Sequence, residues 1–154
     1  MGGVMLSSGD TRLYYYDTNN GSIIELVVNN AFTVGRFITS GQPVPSAEVR
    51  HNSPVAVTLV TNRAVYIQVH TFFFSPDNVL SQYYYDDELG IQGGPDRTTC
   101  VTSKGFVGEP GNQMLYALAD STAIRVGFVS AGPPNTISEA VYTGSGWSLA
   151  SLSN

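Results

Sequence analysis

The sequence predicts an all-β fold, a β-propeller of four-stranded antiparallel blades with three blades in the chain, and two observations carry that expectation. The first is an internal repeat. The segment Ala123 to Val129, a Pro/Gly turn and Ile137 to Trp147 recurs in edited form as Thr11 to Asp17, a turn at Asn19-Asn20-Gly21 and Ile23 to Phe32. It recurs again as Val65 to His70, a turn at Ser75-Pro76-Asp77-Asn78 and Val79 to Tyr85. A unit of this size cannot bury its own apolar face, so copies must stack. The second observation is composition: 12% charged residues, 16 Gly and 8 Pro in 154 residues favour short strands and tight turns over helices.

Strand signals then follow in order: Val4 to Ser7, Arg12 to Asp17, Ile23 to Val28, Val55 to Val60, Val65 to Phe74, Val79 to Tyr85, Met114 to Ala119, Ile124 to Val129 and Ile137 to Thr143. Each is rich in β-branched or aromatic residues and bounded by Gly, Pro, Asn, Asp or Ser. The Asn-Gly and Pro-Asp-Asn turns suit hairpins because they tolerate positive φ. Every unit reads as one strand, a connector, a hairpin and a tail ending in an apolar residue. This divides a single domain, 1–154, into repeats at about 1–50, 51–108 and 109–154. The tails Phe32-x-x-Gly35-x-Phe37 and Trp147-x-x-Ala150-x-Leu152 share one spacing, while the second repeat keeps Gly105-Phe106. Gly41 to Ser46 and Leu89 to Lys104 read as surface loops. An open sandwich is the alternative to the propeller. Three blades do not close a ring, since propellers have about four to eight, so a homodimer completing six blades is expected.

Net charge of −5 without a Lys/Arg cluster argues against a nucleic-acid or anionic-membrane partner. Cys100 is the single cysteine, which excludes an intrachain disulfide, a zinc cage and a redox pair. His51 and His70 stand apart from any nucleophile and from metal-ligand spacing, so no metal or cofactor is expected. The N-terminus lacks a basic region, and no apolar run approaches the ~18 residues of a membrane span. A soluble protein is expected, its export signal absent or already removed.

Arg12/Glu25 and Arg125/Glu139 flank equivalent hairpins at nearly one spacing, where side chains on the same face of paired strands can meet. An exposed cross-strand salt bridge is the plain reading, and it is worth little. Recurrence beside aromatic residues favours a site. An Arg fork offers directional donors and a carboxylate offers acceptors, which suits the hydroxyls and ring oxygen of a sugar. Tyr142 and Trp147, three and eight residues past Glu139, offer flat faces for its C–H side, although a lone Trp also serves as a core anchor.

These residues resemble the fucose-binding six-bladed propeller lectins of the Aleuria aurantia type and their short relatives from Ralstonia. The resemblance is loose over the whole chain and closer over residues 105–154, in Gly105-Phe106-Val107-Gly108-Glu109-Pro110-Gly111, Ile124-Arg125-Val126, Ser138-Glu139 and Gly144-Ser145-Gly146-Trp147. It implies sugar pockets between blades, with Arg and Glu from one blade and aromatic residues from the preceding one. On that pattern Arg125 and Glu139 face Tyr85. In the second repeat Tyr66 stands for Arg and Gln82 for Glu, a degraded pocket with Phe32 as its remaining face. Arg12 and Glu25 then face Tyr142 and Trp147 of another copy. The implied function is a lectin for fucose or fucosylated glycans and not an enzyme. The alternatives are a structural or assembly module, or a glycoside hydrolase using Asp86 and Asp87, which beside Glu88 read more simply as a solvated acidic turn.

Overall fold

Alternating apolar residues bounded by turn formers fold here into three four-stranded meanders, in a computed structural model that describes residues 1–62, 66–132 and 136–152. The side chains of Asn62 and Tyr66 lie outside that description, as do residues 133–135, where the sequence reading expects a turn. Blade 1 comprises β1 (Gly2–Met5), β2 (Thr11–Tyr16), β3 (Ile23–Asn29) and β4 (Arg36–Val44). Blade 2 comprises β5 (Ala56–Asn62), β6 (Tyr66–Phe74), β7 (Leu80–Asp86) and β8 (Gly90–Gly93). Blade 3 comprises β9 (Leu115–Ala119), β10 (Ile124–Val129), β11 (Ile137–Tyr142) and β12 (Trp147–Ser151). Within each blade the spatial order is the chain order and all neighbours are antiparallel. The first strands β1, β5 and β9 touch in succession, which sets them innermost and the sheets side by side as propeller blades.

The fourth strands are the main departure from the sequence reading. Residues Gly41 to Val44, read as loop, belong to β4, and β8 lies inside the supposed loop from Leu89 to Lys104. Both are outermost edges. Arg36 to Gln42 is exposed throughout, so its side chains show no buried alternation, and Gly41 and Pro43 are residues an edge strand tolerates. The turns match expectation better, since Gly21 and Asn78 take positive φ values of 76° and 61°.

Strand β6 explains why blade 2 is the centre of the chain. Successive side chains point to opposite faces. Val69 and Phe73 accordingly join Tyr14, Ile23 and Val44 against blade 1, while Phe72 and Phe74 join Val126, Phe128 and Trp147 against blade 3. The run Phe72-Phe73-Phe74 is therefore apolar without alternation because both of its faces are buried. All three blades also expose large apolar residues, Phe37 and Ile38 on blade 1, Tyr85 and Ile91 on blade 2, and Leu118 and Leu149 on blade 3.

Arg50, between β4 and β5, fastens one end of the three blades. Its guanidinium donates from Nη1 to Asn78 Oδ1 at 2.8 Å and from Nη2 to the Asn112 carbonyl at 2.8 Å, and it lies 4.8 Å from the Phe74 ring centre. The Gly105 to Gly111 segment runs between β8 and β9. Gly108 lies so close to Phe74 that a Cβ would come within 2.4 Å of the ring.

Candidate functional site

Strand register, counted from each hairpin end, places the polar pairs. The last paired residues are Tyr16↔Ile23, Phe74↔Leu80 and Val129↔Ile137. Two steps in, Glu25 faces Tyr14, Gln82 faces Phe72 and Glu139 faces Gly127. Four residues before each hairpin end stand Arg12, His70 and Arg125. The residue in the Arg position of blade 2 is thus His70, which corrects the expectation for Tyr66. Tyr66 pairs with Asn62 at the far end of β6, and its side chain lies outside the described residues. The reason is strand length: β6 has nine residues against six in β2 and β10, so counting from the start of the strand lands on Tyr66, whereas counting from the hairpin end lands on His70.

In blade 3 the pair is closed. Arg125 donates from Nε to Glu139 Oε1 at 3.0 Å and from Nη2 to Oε2 at 3.1 Å, a two-pronged contact that raises the guanidinium pKa. The Tyr116 hydroxyl on β9 donates to the same Oε2 at 2.9 Å. Its phenol pKa is raised by burial first and then by Glu139. Gly127 makes room for this, because β10 passes between Tyr116 and Glu139 and a Cβ there would fall 2.0 Å from the tyrosine ring. Gly127→Ala is expected to cost about 1–3 kcal/mol through overpacking, read as a lowered denaturation midpoint.

Blade 1 reaches a similar result from the opposite side. Here the tyrosine sits on β2 itself, Tyr14, with Gly2 as its partner on β1. Its hydroxyl donates to Glu25 Oε1 at 2.6 Å, and burial followed by the Glu25 charge pushes its pKa up. Arg12 occupies the same diagonal as Arg125, yet among the described residues Arg125–Glu139 is the ion pair that forms. The expected cross-strand pairing of Arg12 with Glu25 is therefore not made, and Tyr14 holds the carboxylate instead.

Blade 2 carries a buried relay. The Val101 N–H donates to Gln82 Oε1 at 3.0 Å, which directs Gln82 Nε2 to donate to His70 Nδ1 at 2.7 Å. His70 Nε2 then donates to Gln68 Oε1 at 3.0 Å, and Gln68 Nε2 donates to Asp86 Oδ2 at 2.9 Å. Asp86 Oδ1 accepts the backbone N–H groups of Glu88 and Leu89. Asp87 and Glu88 are exposed, as expected of a solvated acidic turn, but Asp86, 1% exposed, is the buried carboxylate that anchors it. Burial lowers the His70 pKa to about 4, outweighing the opposing pull of Asp86. The ring stacks on Tyr84 at 5.0 Å.

Above this relay a pocket of about 320 Å³ opens between blades 2 and 3. Gln82, His70 and Tyr84 line it from blade 2, and Tyr142, Ile124 and Trp147 from blade 3. Trp147 is both wall and core: its Nε1 donates to the Thr99 carbonyl at 3.2 Å, and it packs edge-on against Phe72 at 6.0 Å. A smaller pocket between blades 1 and 2 brings Tyr14 together with Tyr85 and Ile91.

Within the chain, the aromatic residues thus come from the following blade and not the preceding one. Tyr85 sits with the Glu25-bound Tyr14, not with Arg125 and Glu139, and Tyr142 and Trp147 sit with His70 and Gln82. Phe32 lies exposed in the β3–β4 connection and does not line the pocket that holds Gln82. Register gives Phe37 the place of Trp147, since Phe37 faces Val28 as Trp147 faces Tyr142. The longer β3–β4 connection displaced the apparent spacing. Tyr14, Tyr116 and His70 are site residues that the repeat spacing did not reveal.

No protein-family model matches the chain, and no curated protein does. Its fold is that of the six-bladed propeller lectins. AofleA from Arthrobotrys oligospora is similar with a TM-score of 0.76 at 16% identity, over 99% of this chain and 41% of that one. The Aleuria aurantia lectin, described as a six-bladed β-propeller, is similar with a TM-score of 0.71 at 23% identity, over 97% of this chain and 46% of that one. A fucose lectin from Kordia zhangzhouensis, solved with methyl-fucoside, is similar with a TM-score of 0.67 at 15% identity, over 99% of both chains. The chain therefore spans less than half the length of the two fungal proteins.

Proposed function

We propose that the chain is a carbohydrate-binding lectin whose Arg/Glu sites take fucose or fucosylated glycans. The observation that carries this reading is the recurrence of one arrangement in blades 1 and 3: an Arg on the second strand, a Glu diagonally across on the third, and a tyrosine hydroxyl donating to that Glu. The guanidinium supplies directional donors, the carboxylate accepts sugar hydroxyls, and an aromatic face covers the methyl and C–H side. For Arg12 and Glu25 that face is Tyr85 of the next blade. For Arg125 and Glu139 the next blade is blade 1 of a second copy, where Phe37 occupies the Trp147 position. Two copies supply six blades, and several weak sites in one ring give avidity on a glycan-bearing surface. Among the described residues no helix is long and apolar enough to cross a membrane.

Calorimetric titration with methyl-α-fucoside tests this. Saturable binding unaffected by EDTA is expected, and Arg125→Ala should weaken its site by about 2 kcal/mol, roughly thirtyfold, through loss of a charged donor. No heat with methyl-α-fucoside or any fucosylated glycan, by a protein with intact fold and ring, would leave the assembly-module reading in its place.

A further inference from the structure

The β2–β3 turn carries chemistry that the sugar sites do not use. We infer that Asn20 is a site of spontaneous covalent modification: the backbone nitrogen of Gly21 attacks the Asn20 side-chain amide and converts residue 20 to aspartate or isoaspartate, with Ser22 as the positioning residue.

The reaction needs a side-chain amide next to a backbone nitrogen that no side chain shields. Asn20 is the only asparagine of the chain that glycine follows. Gly21 takes a φ of 76° in this turn and has no Cβ beside its nitrogen. Asn20 is exposed, so water reaches the site and ammonia leaves into solvent. The step balances without a cofactor. Solvent takes the Gly21 N–H proton, the nitrogen bonds to Asn20 Cγ, the Cγ–Nδ2 bond breaks, and Nδ2 leaves as ammonia with a proton from water. Water then opens the resulting succinimide ring. Cleavage between the Gly21 nitrogen and Cγ gives aspartate, and cleavage between that nitrogen and the main-chain carbonyl carbon gives isoaspartate. In sum one water is consumed and one ammonia released, with no change of oxidation state.

Asparagine is labile in general, and the fold sharpens its reactivity here. Asn20 Oδ1 accepts the Ser22 N–H at 2.9 Å and the Ser22 hydroxyl at 2.5 Å. Two donors on one carbonyl oxygen draw electrons from Cγ and stabilise the oxyanion that forms as the nitrogen adds, as an oxyanion hole does in acyl transfer. Ser22 is fixed for this role, because it is 0% exposed and leads into Ile23, also 0% exposed and paired with Tyr16. The opposing restraint is the Gly21 N–H bond to the Asp17 carbonyl at 2.8 Å, which opens before the proton leaves. A single bond in an exposed turn opens far more often than the blade unfolds.

The product changes the part of blade 1 that holds Glu25. Either form adds a negative charge to a chain of net charge −5, in the turn where the Asp17 carboxylate already accepts the Asn19 N–H. Isoaspartate also lengthens the backbone of a turn that sets Tyr16 against Ile23 and, two steps on, Tyr14 against Glu25. The assignment stands apart from the sugar-binding reading and uses none of its residues.

Peptide mapping by mass spectrometry, on folded chain held in neutral buffer over weeks, reads the exchange of amide for carboxyl and separates the two products. Residue 20 should be converted before any other asparagine, and Asn20→Asp supplies the standard for one product. Ser22→Ala separates activation from restraint by sign. If the Ser22 hydroxyl polarises the amide, its loss slows conversion about fivefold in the folded chain and leaves the rate in urea unchanged. If Ser22 only holds the turn, its loss frees the Gly21 N–H and speeds conversion. Melting curves confirm that the variant folds, and should it not, the parent alone decides: residue 20 intact in the folded chain while it converts in urea overturns the proposal. Faster or unchanged conversion in folded Ser22→Ala, or first conversion at another asparagine, overturns it equally.

Discussion

Phe72→Ala should lower the unfolding free energy by about 3–5 kcal/mol, the range for deleting a fully buried aromatic ring. Phe72 is 0% exposed and belongs to two assemblies at once. It stacks on His70 at 6.3 Å within its own blade and meets the edge of Trp147 at 6.0 Å across the gap to blade 3. Removing it leaves a cavity at the point where the blades join, and neither neighbour can collapse into it without breaking the His70–Gln82 bond or the Trp147–Thr99 bond. Chemical denaturation followed by Trp147 emission measures the loss. A change below about 1 kcal/mol would mean that the blades are joined chiefly elsewhere, for instance through Arg50.

Acid should weaken the fold through His70. Its ordinary pKa is about 6.5 and burial brings it to about 4 in the folded chain. Between those values the unfolded chain takes up a proton that the folded chain refuses. The contribution of a neutral His70 is therefore complete above pH 6.5 and is lost progressively as pH falls through about 4, amounting to about 3 kcal/mol. The chemistry is visible in the relay, because a proton on Nδ1 would face the Gln82 amide donor and leave that bond unmade. Melting curves of the parent and of His70→Gln across this window isolate the effect from carboxylate titration. Equal pH dependence in both would show that His70 is not the responsible group.

The hairpins were legible in the sequence because each couples apolar alternation to a turn whose chemistry is local, as Gly21 and Asn78 illustrate. The outer strands were not, since β4 buries almost nothing and β8 is four residues long. Arg125 and Glu139 were legible because their separation nearly repeats that of Arg12 and Glu25. His70 was hidden because β6 begins three residues earlier, relative to its hairpin, than β2 and β10 do, so an alignment of strand starts puts Tyr66 in its place. Tyr116 was hidden for another reason: it reaches Glu139 from a strand 23 residues away, and no local spacing encodes that meeting.

The two tyrosine-held glutamates also limit how the blades can be recombined. Blade 1 keeps glycine on the inner strand and tyrosine on the next, Gly2 and Tyr14, whereas blade 3 keeps Tyr116 and Gly127 in the reverse arrangement. A consensus blade averaged from both would place either two rings in the space for one or two glycines with no ring at all. The interchangeable unit for anyone grafting, shuffling or idealising these repeats is the paired inner hairpin, moved whole, and a design that treats each column of the repeat independently should lose the carboxylate's anchor.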